Sequence, residues 1–280
     1  MIDSPLPSVS AWVRALADAE IPILPHALAE LEQLREIEDT RGTVDARTLA
    51  DAMGANPLMV LKVLTHVSRY CTRLGVEPPE TLTGAIVMMG IAPFFNTFLN
   101  APTFIEWFKS DPDAASGLLK VITRAQRAAN FSLNFAIRRQ DEDAAILYEA
   151  ALLHDFAEML LWCHAPKLAK EIDRLKRVDP ALRSSAAQKA VLGTTLNALA
   201  HGLMREWQLP DMLIKCTDER RVNDPQVRNV MLAGRLARHS RNGWDAPNAQ
   251  PALRDDIAGV AQLLTLSEEA ATRLVMTLDA

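Results

Sequence analysis

Apolar residues recur along this chain with the period of an α-helix. In the segment 150–164, AALLHDFAEMLLWCH, a stripe of helical spacing is formed by Leu152, Phe156, Met159 or Leu160, and Cys163. Leucine and alanine are abundant, alternating β-branched residues are rare, and no Asn-Gly turn joins two alternating segments. This pattern predicts an all-α fold. The predicted helices lie at about residues 8–19, 25–38, 45–54, 57–73, 81–89, 91–100, 113–139, 142–163, 166–175, 184–206, 210–219, 224–240, 251–263 and 266–278.

Cap and turn residues mark where several of these helices begin. Pro57, Pro112 and Pro225 each follow an Asn or Asp and stand in a first helical turn, where the missing N–H is harmless. Thr43 precedes the segment VDARTLADAM and is a candidate N-cap. Residues 242–251 are rich in Gly, Pro and Asn, so we expect them to connect to a C-terminal helical hairpin.

One long stretch, residues 81–105, carries no charged side chain and must be considered as a membrane span. It is interrupted, however, by residues that a helix in lipid tolerates poorly: Gly90, Pro93, Asn96, Asn100 and Pro102. We therefore expect a buried pair of short helices here and no contact with a membrane.

Composition narrows the class of protein. The chain has 280 residues, of which 49% are hydrophobic and 23% charged, so it can bury a substantial core. The net charge of −5 argues against a chain built mainly to coat nucleic acid. The three cysteines, Cys71, Cys163 and Cys216, are far apart and form no CxxC pair. Such sparse, unpaired cysteines and an N-terminus without the apolar segment of a signal peptide favour a cytoplasmic location.

An adjacent His-Asp pair, His154-Asp155, stands inside the predicted helix 142–163. On a continuous helix the two residues lie about 100° apart, so both can turn toward one pocket wall. Such a pair is typical of metal-dependent hydrolases. A divalent ion needs about four to six ligands, so two residues alone make no metal site.

Three stretches resemble the HDOD family, whose name stands for HD-related output domain and which is a branch of the HD hydrolase superfamily. The first is IPILPHALAELEQL at 21–34, and the second is the segment 49–91, with Asn56-Pro57-Leu58 and Lys62-Val63-Leu64 at the matching positions. The third is AALLHDFAEMLLW, followed by REWQLPDMLIK at 205–215. The resemblance covers roughly residues 20–220.

This resemblance implies a multi-helical HD-like fold and a division of the chain. Residues 1–220 are expected to form the HDOD domain, with an N-terminal helical half at 1–110 and an HD-like half at 111–220. Residues 221–280 are expected to form a C-terminal helical extension.

The chain departs from a catalytic HD protein at the positions of the other metal ligands. The resemblance implies a ligand histidine on the preceding helix, but residues 119–139 contain none, and Arg124 stands at that position. A downstream histidine pair would fall near Arg220 and Arg221. An arginine keeps its positive charge and repels a divalent cation, but it can pair with Asp155 or bind an anion. We therefore interpret His154-Asp155 as the remnant of a metal site, and we expect no catalytic residue, metal or other cofactor.

Two functional hypotheses follow. The first is a non-catalytic regulatory protein of bacterial signal transduction, which binds a protein partner or senses a cyclic dinucleotide or other anionic ligand. The alternative is a divergent metal-dependent phosphohydrolase acting on a nucleotide or phosphodiester. It would use His154, Asp155 and unidentified ligands such as His201 or Asp218.

A third hypothesis, binding of nucleic acid, rests on residues 215–241, which carry seven basic and three acidic residues. Arg228 and Arg235 share a helix face there. We favour a charged solvent face, because specific binding also needs stacking aromatic side chains or a groove. The remaining histidines are interpreted as structural or surface residues: His26, His66, His164, His201 and His239.

The densest aromatic group is interpreted as core, with a partner-binding groove as the alternative if it is exposed. Its members are Phe94, Phe95, Phe98, Phe104, Trp107 and Phe108.

Overall fold

The computed structural model of the protein describes residues 1–247 and 249–279, with the side chain of Glu219 left out. The described residues are folded into α-helices with short 3₁₀ turns, and they contain no β-strand. One isolated bridge pairs Ile23 with Thr103 in parallel. The predicted all-α fold class is therefore confirmed.

The helices, in chain order, are α1 (Val9–Ala17), α2 (Pro25–Arg41), α3 (Ala46–Met53), α4 (Pro57–Leu74), α5 (Leu82–Met89), α6 (Ile91–Phe98), α7 (Phe104–Trp107), α8 (Pro112–Arg139), α9 (Ala144–Leu153), α10 (Phe156–His164), α11 (Pro166–Val178), α12 (Ser184–Leu192), α13 (Leu196–Glu206), α14 (Asp211–Cys216), α15 (Pro225–His239), α16 (Gln250–Leu264) and α17 (Glu268–Leu278). Two 3₁₀ turns lie at Glu219–Arg221 and Ser240–Asn242.

Helix starts follow the local chemistry of the sequence. The predicted first-turn prolines Pro57, Pro112 and Pro225 each begin a helix. The Asn56 side chain accepts hydrogen bonds from two backbone N–H groups of the first turn of α4. The predicted N-cap Thr43 is wrong, because α3 begins at Ala46. Asp45 caps α3 instead, and its carboxylate accepts the N–H of Thr48 at 2.7 Å.

Two predicted long helices are each divided in two. The prediction 184–206 becomes α12 and α13, because Gly193 adopts a left-handed conformation with φ of 73°. The prediction 142–163 becomes α9 and α10, which are separated by His154 and Asp155. Apolar periodicity continues across both interruptions, so it does not reveal them.

The described chain forms two compact units, and each consists of two chain segments. Unit 1 comprises Met1–Ile122 and Asp155–Pro210. Unit 2 comprises Thr123–His154 and Asp211–Ala280, described here as far as residue 279. The chain therefore passes from one unit to the other after residues 122, 154 and 210. The linear division at residues 110 and 220 stays a prediction.

Unit 1 is built around α4, whose apolar residues from Leu58 to Val67 are buried. Helices α1 and α13 pack against each other, and α10 packs against α4. Two indole N–H groups connect distant segments of this unit. Trp12 Nε1 donates to the Leu192 carbonyl at 3.3 Å, and Trp207 Nε1 donates to the Ala17 carbonyl at 2.9 Å.

The uncharged stretch 81–105 forms the short helices α5 and α6, joined at Gly90 with φ of 85°. No helix in the described ranges is long and apolar enough to cross a membrane. The dense aromatic group overlaps the end of this stretch and belongs to the core of unit 1, as predicted. All of its members except Trp107 are buried: Phe94, Phe95, Phe98, Phe104 and Phe108.

Unit 2 has its own core, formed where the C-terminal half of α8 meets the last three helices. Phe131 and Phe135 of α8 stack on each other and belong to one buried cluster with Leu236, Val260 and Val275. These last three residues come from α15, α16 and α17. The predicted C-terminal extension therefore supplies much of the core of this unit.

Candidate functional site

The His-Asp pair lies at a turn between two helices and not within one. His154 has helical backbone angles, but its N–H bonds to the carbonyl of Ala151, three residues back, at 3.3 Å. Asp155 leaves the helical region at φ −100° and ψ 17°. Its carbonyl then accepts the N–H groups of Glu158 and Met159, which starts α10. The pair therefore stands at a helix junction, where the helical angle of about 100° expected from sequence does not apply.

His154 and Asp155 are both half-buried, and each interacts with other groups of the chain. The Asp155 side chain does not cap α10, although it holds the N-cap position. The boundary of the two units falls between these residues, so His154 belongs to unit 2 and Asp155 to unit 1.

Arg124, which the resemblance places where a ligand histidine would stand, lies on α8 in unit 2. Its side chain is half-buried and also interacts with other groups of the chain. The next arginine on the helix, Arg127, is bound by Asp279, with Nε to Oδ1 at 2.7 Å and Nη2 to Oδ2 at 2.6 Å.

Arg220 and Arg221 lie on the surface of unit 2, in a 3₁₀ turn. Arg220 Nε bonds Asp218 Oδ1 at 2.8 Å, and Arg221 Nε lies 3.7 Å from Asp218 Oδ2. Both guanidinium groups are mainly exposed, at 80% and 61% of the side-chain surface. These arginines pair with a local carboxylate in an open surface turn.

The two ligands considered for a hydrolase are His201 and Asp218. His201 is a half-buried residue of α13, and Asp218 is the N-cap of the 3₁₀ turn, where its side chain accepts the N–H of Arg220. Within residues 1–247 and 249–279, no three His, Cys, Asp or Glu side chains are grouped closely enough to hold a metal ion.

The basic region 215–241 is largely paired with acidic or amide groups. Lys215 Nζ lies 2.7 Å from Asp224, and Arg235 Nε lies 2.7 Å from the buried carboxylate of Asp256. Arg228 donates to the side-chain oxygen of Gln262. These local ion pairs and hydrogen bonds are compatible with the interpretation of the region as a charged solvent face.

A feature that the sequence analysis missed is a cleft of about 760 Å³ in unit 1. One wall is a stripe along α4 that we call the basic stripe: Lys62, His66, Arg69 and Arg73. The facing walls are Ala17–Ile21, the segment that ends α6, and the end of α13. The spacing of four, three and four residues was the available signal, because it places all four side chains on one helix face. Because His66 was interpreted by itself, as a structural or surface residue, the basic stripe was not recognised from the sequence.

Two members of the basic stripe also hold the loop after α1. Lys62 pairs with Glu20 and donates to the Ile21 carbonyl at 2.8 Å. Arg69 Nη2 lies 2.8 Å from Asp18 Oδ1 and also donates to the Ala17 carbonyl. Burial, Arg73 and Arg69 lower the pKa of His66 from its ordinary value, so its imidazole is neutral at pH 7.

The sequence matches the family model of the HDOD domain over residues 21–221. This match extends across most of the chain and includes the His-Asp turn, the helix with Arg124 and the basic stripe of α4. The chain therefore belongs to the HDOD family. A search of curated proteins finds no match.

Solved structures share this fold at low sequence identity. The MmoQ response regulator from Methylococcus capsulatus is 20% identical with a TM-score of 0.64, and the match covers 91% of this chain and 98% of that one. A virulence factor from Campylobacter jejuni is 17% identical with a TM-score of 0.67, and the match covers 96% of this chain and 93% of that one. At such identities the likeness establishes the fold alone.

Proposed function

We propose that this chain is a non-catalytic regulatory protein of bacterial signal transduction. It acts by binding a protein partner or by sensing a small anionic ligand such as a cyclic dinucleotide or another phosphate compound. We place it in the cytoplasm, because Cys71, Cys163 and Cys216 are buried thiols, as suits a reducing compartment.

The observation that carries the proposal is Arg124. The family match includes this residue, and the resemblance puts it at the position of a ligand histidine. A guanidinium group keeps its positive charge in proteins and cannot coordinate a cation. Beside a divalent ion it would raise the energy of the bound state, so it favours an anion or a carboxylate as its partner.

The backbone at the His-Asp pair is compatible with this proposal. Asp155 stands where the helix breaks, and its carbonyl starts α10 through two backbone hydrogen bonds. These hydrogen bonds are made by the backbone, so they do not require a metal at the side chains. A helix junction of this kind needs satisfied backbone groups whether or not the side chains bind an ion.

The names of similar structures are compatible with a regulatory role. The MmoQ protein, which has this fold, is described as a response regulator. Fold alone does not determine function, so this likeness adds to the argument from Arg124 and does not replace it.

The test is metal content. Protein purified without chelator is subjected to elemental analysis and then titrated with Mn²⁺ and Fe²⁺, as wild type and as Asp155→Ala. Asp173→Ala, a change in an exposed ion pair of α11, is the matched control. We expect almost no metal in any preparation, and no binding on titration.

Stoichiometric metal that is lost in Asp155→Ala and kept in Asp173→Ala would overturn the proposal. The chain would then be the divergent phosphohydrolase, and hydrolysis of bis(p-nitrophenyl) phosphate by the metal-loaded protein would be the next measurement. Weak binding that is equal in all three proteins indicates adventitious metal and leaves the non-catalytic proposal supported.

A further inference from the structure

The cleft of unit 1 has the size of a binding site for a small molecule. Its volume of about 760 Å³ falls within the range of roughly 300–1,000 Å³ that is usual for ligand pockets. All of its lining residues belong to unit 1. The cleft is also open enough to exchange a ligand, since Arg69, Arg73 and His66 are exposed along it.

The positive and negative charges of the lining are equal in number. Three cations line the cleft on α4, and three carboxylates line it from other segments: Asp18, Glu20 and Glu206. Two of the cations, Lys62 and Arg69, are already paired across the cleft with Glu20 and Asp18. A polyanion would gain little from a lining with no net charge, so the ligand should carry few negative charges.

The groups left for a ligand are concentrated at one end of the stripe. Arg73 forms no hydrogen bond or ion pair with any residue that the structure describes. Among the same described residues, Arg69 forms its hydrogen bonds and ion pair through Nη2 alone. His66 lies one turn before Arg69 on the same face, and its ring meets Phe98 edge to face at 5.8 Å between centroids. Two guanidinium groups and an imidazole within three turns suit the oxygens of one phosphoryl group.

Hydrogen-bond acceptors also line the cleft. Glu206 and Asn100 are among the residues that line it. Gln208, also in the lining, accepts the hydroxyl proton of Thr72 at 2.6 Å with its side-chain oxygen. Hydroxyl or amino groups of a ligand can donate to such acceptors.

We infer that this cleft binds a small phosphomonoester whose other end carries hydroxyl or amino groups, as a nucleoside monophosphate does. Arg69, Arg73 and His66 bind the phosphoryl group, and Glu206 accepts hydrogen bonds from the nucleoside or sugar. The inference names a ligand class for the sensing role in the proposed function. It does not depend on whether His154 and Asp155 hold a metal, so the two can fail separately.

Isothermal titration calorimetry tests the inference with three probes: adenosine 5′-monophosphate, adenosine and inorganic phosphate. The proteins are wild type, Arg73→Gln and the control Arg47→Gln. Arg47 is an 84% exposed arginine of α3 outside the cleft. Arg73 is exposed and has no partner to lose among the described residues, so its variant should fold; a thermal melt checks this.

We expect the monophosphate to bind with one-to-one stoichiometry, more tightly than adenosine or inorganic phosphate. Arg73→Gln should weaken it about tenfold or more, since a charge-assisted hydrogen bond is removed, while Arg47→Gln leaves it unchanged. Equal binding of adenosine would overturn the phosphoryl contact, and equal binding of inorganic phosphate would overturn the contact with Glu206. No heat with any probe, or an unaffected Arg73→Gln, would overturn the inference as a whole.

A second readout follows the imidazole of His66 by NMR. Arg73 and Arg69 of its own helix act on its charge, and the other charged residues of the same cleft are Lys62, also on α4, with Asp18, Glu20 and Glu206 on other segments. A bound phosphoryl dianion stabilises the imidazolium, so the pKa of His66 should rise when the monophosphate is added. An unchanged pKa at saturating ligand would place the ligand elsewhere.

Discussion

At the scale of single residues, Gly117 shows how closely α8 packs inside unit 1. A Cβ atom at this position would come within 2.5 Å of the indole ring of Trp162. Trp162 is buried, so its ring has little room to move. The absence of a side chain at residue 117 therefore sets the distance between α8 and α10.

Gly117→Ala should lower the free energy of unfolding by about 1–3 kcal/mol, because the added methyl group overpacks this contact. Gly234→Ala is the matched control, since Gly234 lies within α15 and a Cβ there meets no atom within 4 Å. That variant should be more stable than wild type by about 0.5–1 kcal/mol through the helix preference of alanine. Urea denaturation measures both, and a stabilised Gly117→Ala would contradict the packing argument.

Asp111 couples the start of α8 to α11. Its carboxylate accepts the N–H of Ala114 at 3.0 Å and a hydrogen bond from Lys170 Nζ at 2.6 Å. Lys170 and the backbone N–H hold the pKa of Asp111 below its ordinary value. The charged form is thus the one that stabilises the fold, and its contribution is complete above the ordinary pKa of about 4.

Asp111→Asn keeps a capping side chain but loses the charge, so stability at pH 7 should fall by about 1 kcal/mol. The difference from wild type should shrink as the pH falls through the lowered pKa of Asp111, since the wild-type carboxylate is then protonated too. Denaturation at pH 7, 5 and 3 gives the comparison. Asp113→Asn, an exposed residue in the same first turn, should change stability by only a few tenths of a kcal/mol.

Residue chemistry could be predicted from sequence where it is local. The prolines at helix starts were correct because their backbone restriction acts within one turn. Thr43 was a wrong N-cap because Thr and Asp both cap helices, and local sequence alone does not choose between Thr43 and Asp45. The roles of Arg124 and His154 depend on packing between distant segments, which one sequence does not contain.

At the scale of secondary-structure elements, α17 is fastened to α8 by a network around Asp279. Arg127 binds this carboxylate through two nitrogens and also donates to Ser240 and to the Ala237 carbonyl. Trp244 Nε1 donates to the same carboxylate at 2.9 Å. Both members of the ion pair are largely shielded, at 24% and 15% exposure, so the pair should matter more than a surface salt bridge.

Asp279→Ala should lower the free energy of unfolding by about 2 kcal/mol, because it leaves the shielded guanidinium group of Arg127 without its carboxylate. Amide exchange in α17 should accelerate, since its attachment to α8 is lost. The control Asp173→Ala breaks the exposed pair with Arg177 and should change stability by less than about 1 kcal/mol. Exchange in α17 as slow as in wild type would show that apolar contacts alone hold this helix.

Most elements were predictable because amphipathic helices repeat the same signal over several turns. The division of the helix predicted at 142–163 was not, since a two-residue interruption barely disturbs the apolar period. Helix α7 was not predicted either, because a single turn is too short to show an apolar period. It begins with a capping box formed by Thr103 and Glu106. The basic stripe of α4 was visible in its spacing, but its cleft requires three other segments to close it.

At the scale of the whole molecule, neither compact unit is a continuous piece of chain. The HDOD match ends at residue 221, yet the core of unit 2 combines residues before and after that position. Phe131 and Phe135 from α8 contact a cluster completed by α15, α16 and α17. Sequence patterns cannot show how this core is assembled. The apolar period of a helix shows which of its faces is buried, but it does not show which other helix covers that face.

A fragment of residues 1–220 should therefore not behave as a complete domain. Its Phe131 and Phe135 would be uncovered, and an exposed apolar surface of this kind promotes aggregation. We expect low solubility, or rapid amide exchange in residues 123–139 of any soluble fraction, compared with the full chain. A soluble fragment with full protection in this segment would support the division predicted at residue 220.

The discontinuous core of unit 2 also sets an order of events during synthesis. Phe131 is made about a hundred residues before Leu232, and at roughly 5–20 residues per second this interval lasts roughly 5–20 s. During that time the C-terminal half of α8 has no permanent cover on its apolar face. The nascent chain thus exposes a defined segment for a defined interval, and folding of unit 2 can be completed only after α17 has been synthesised.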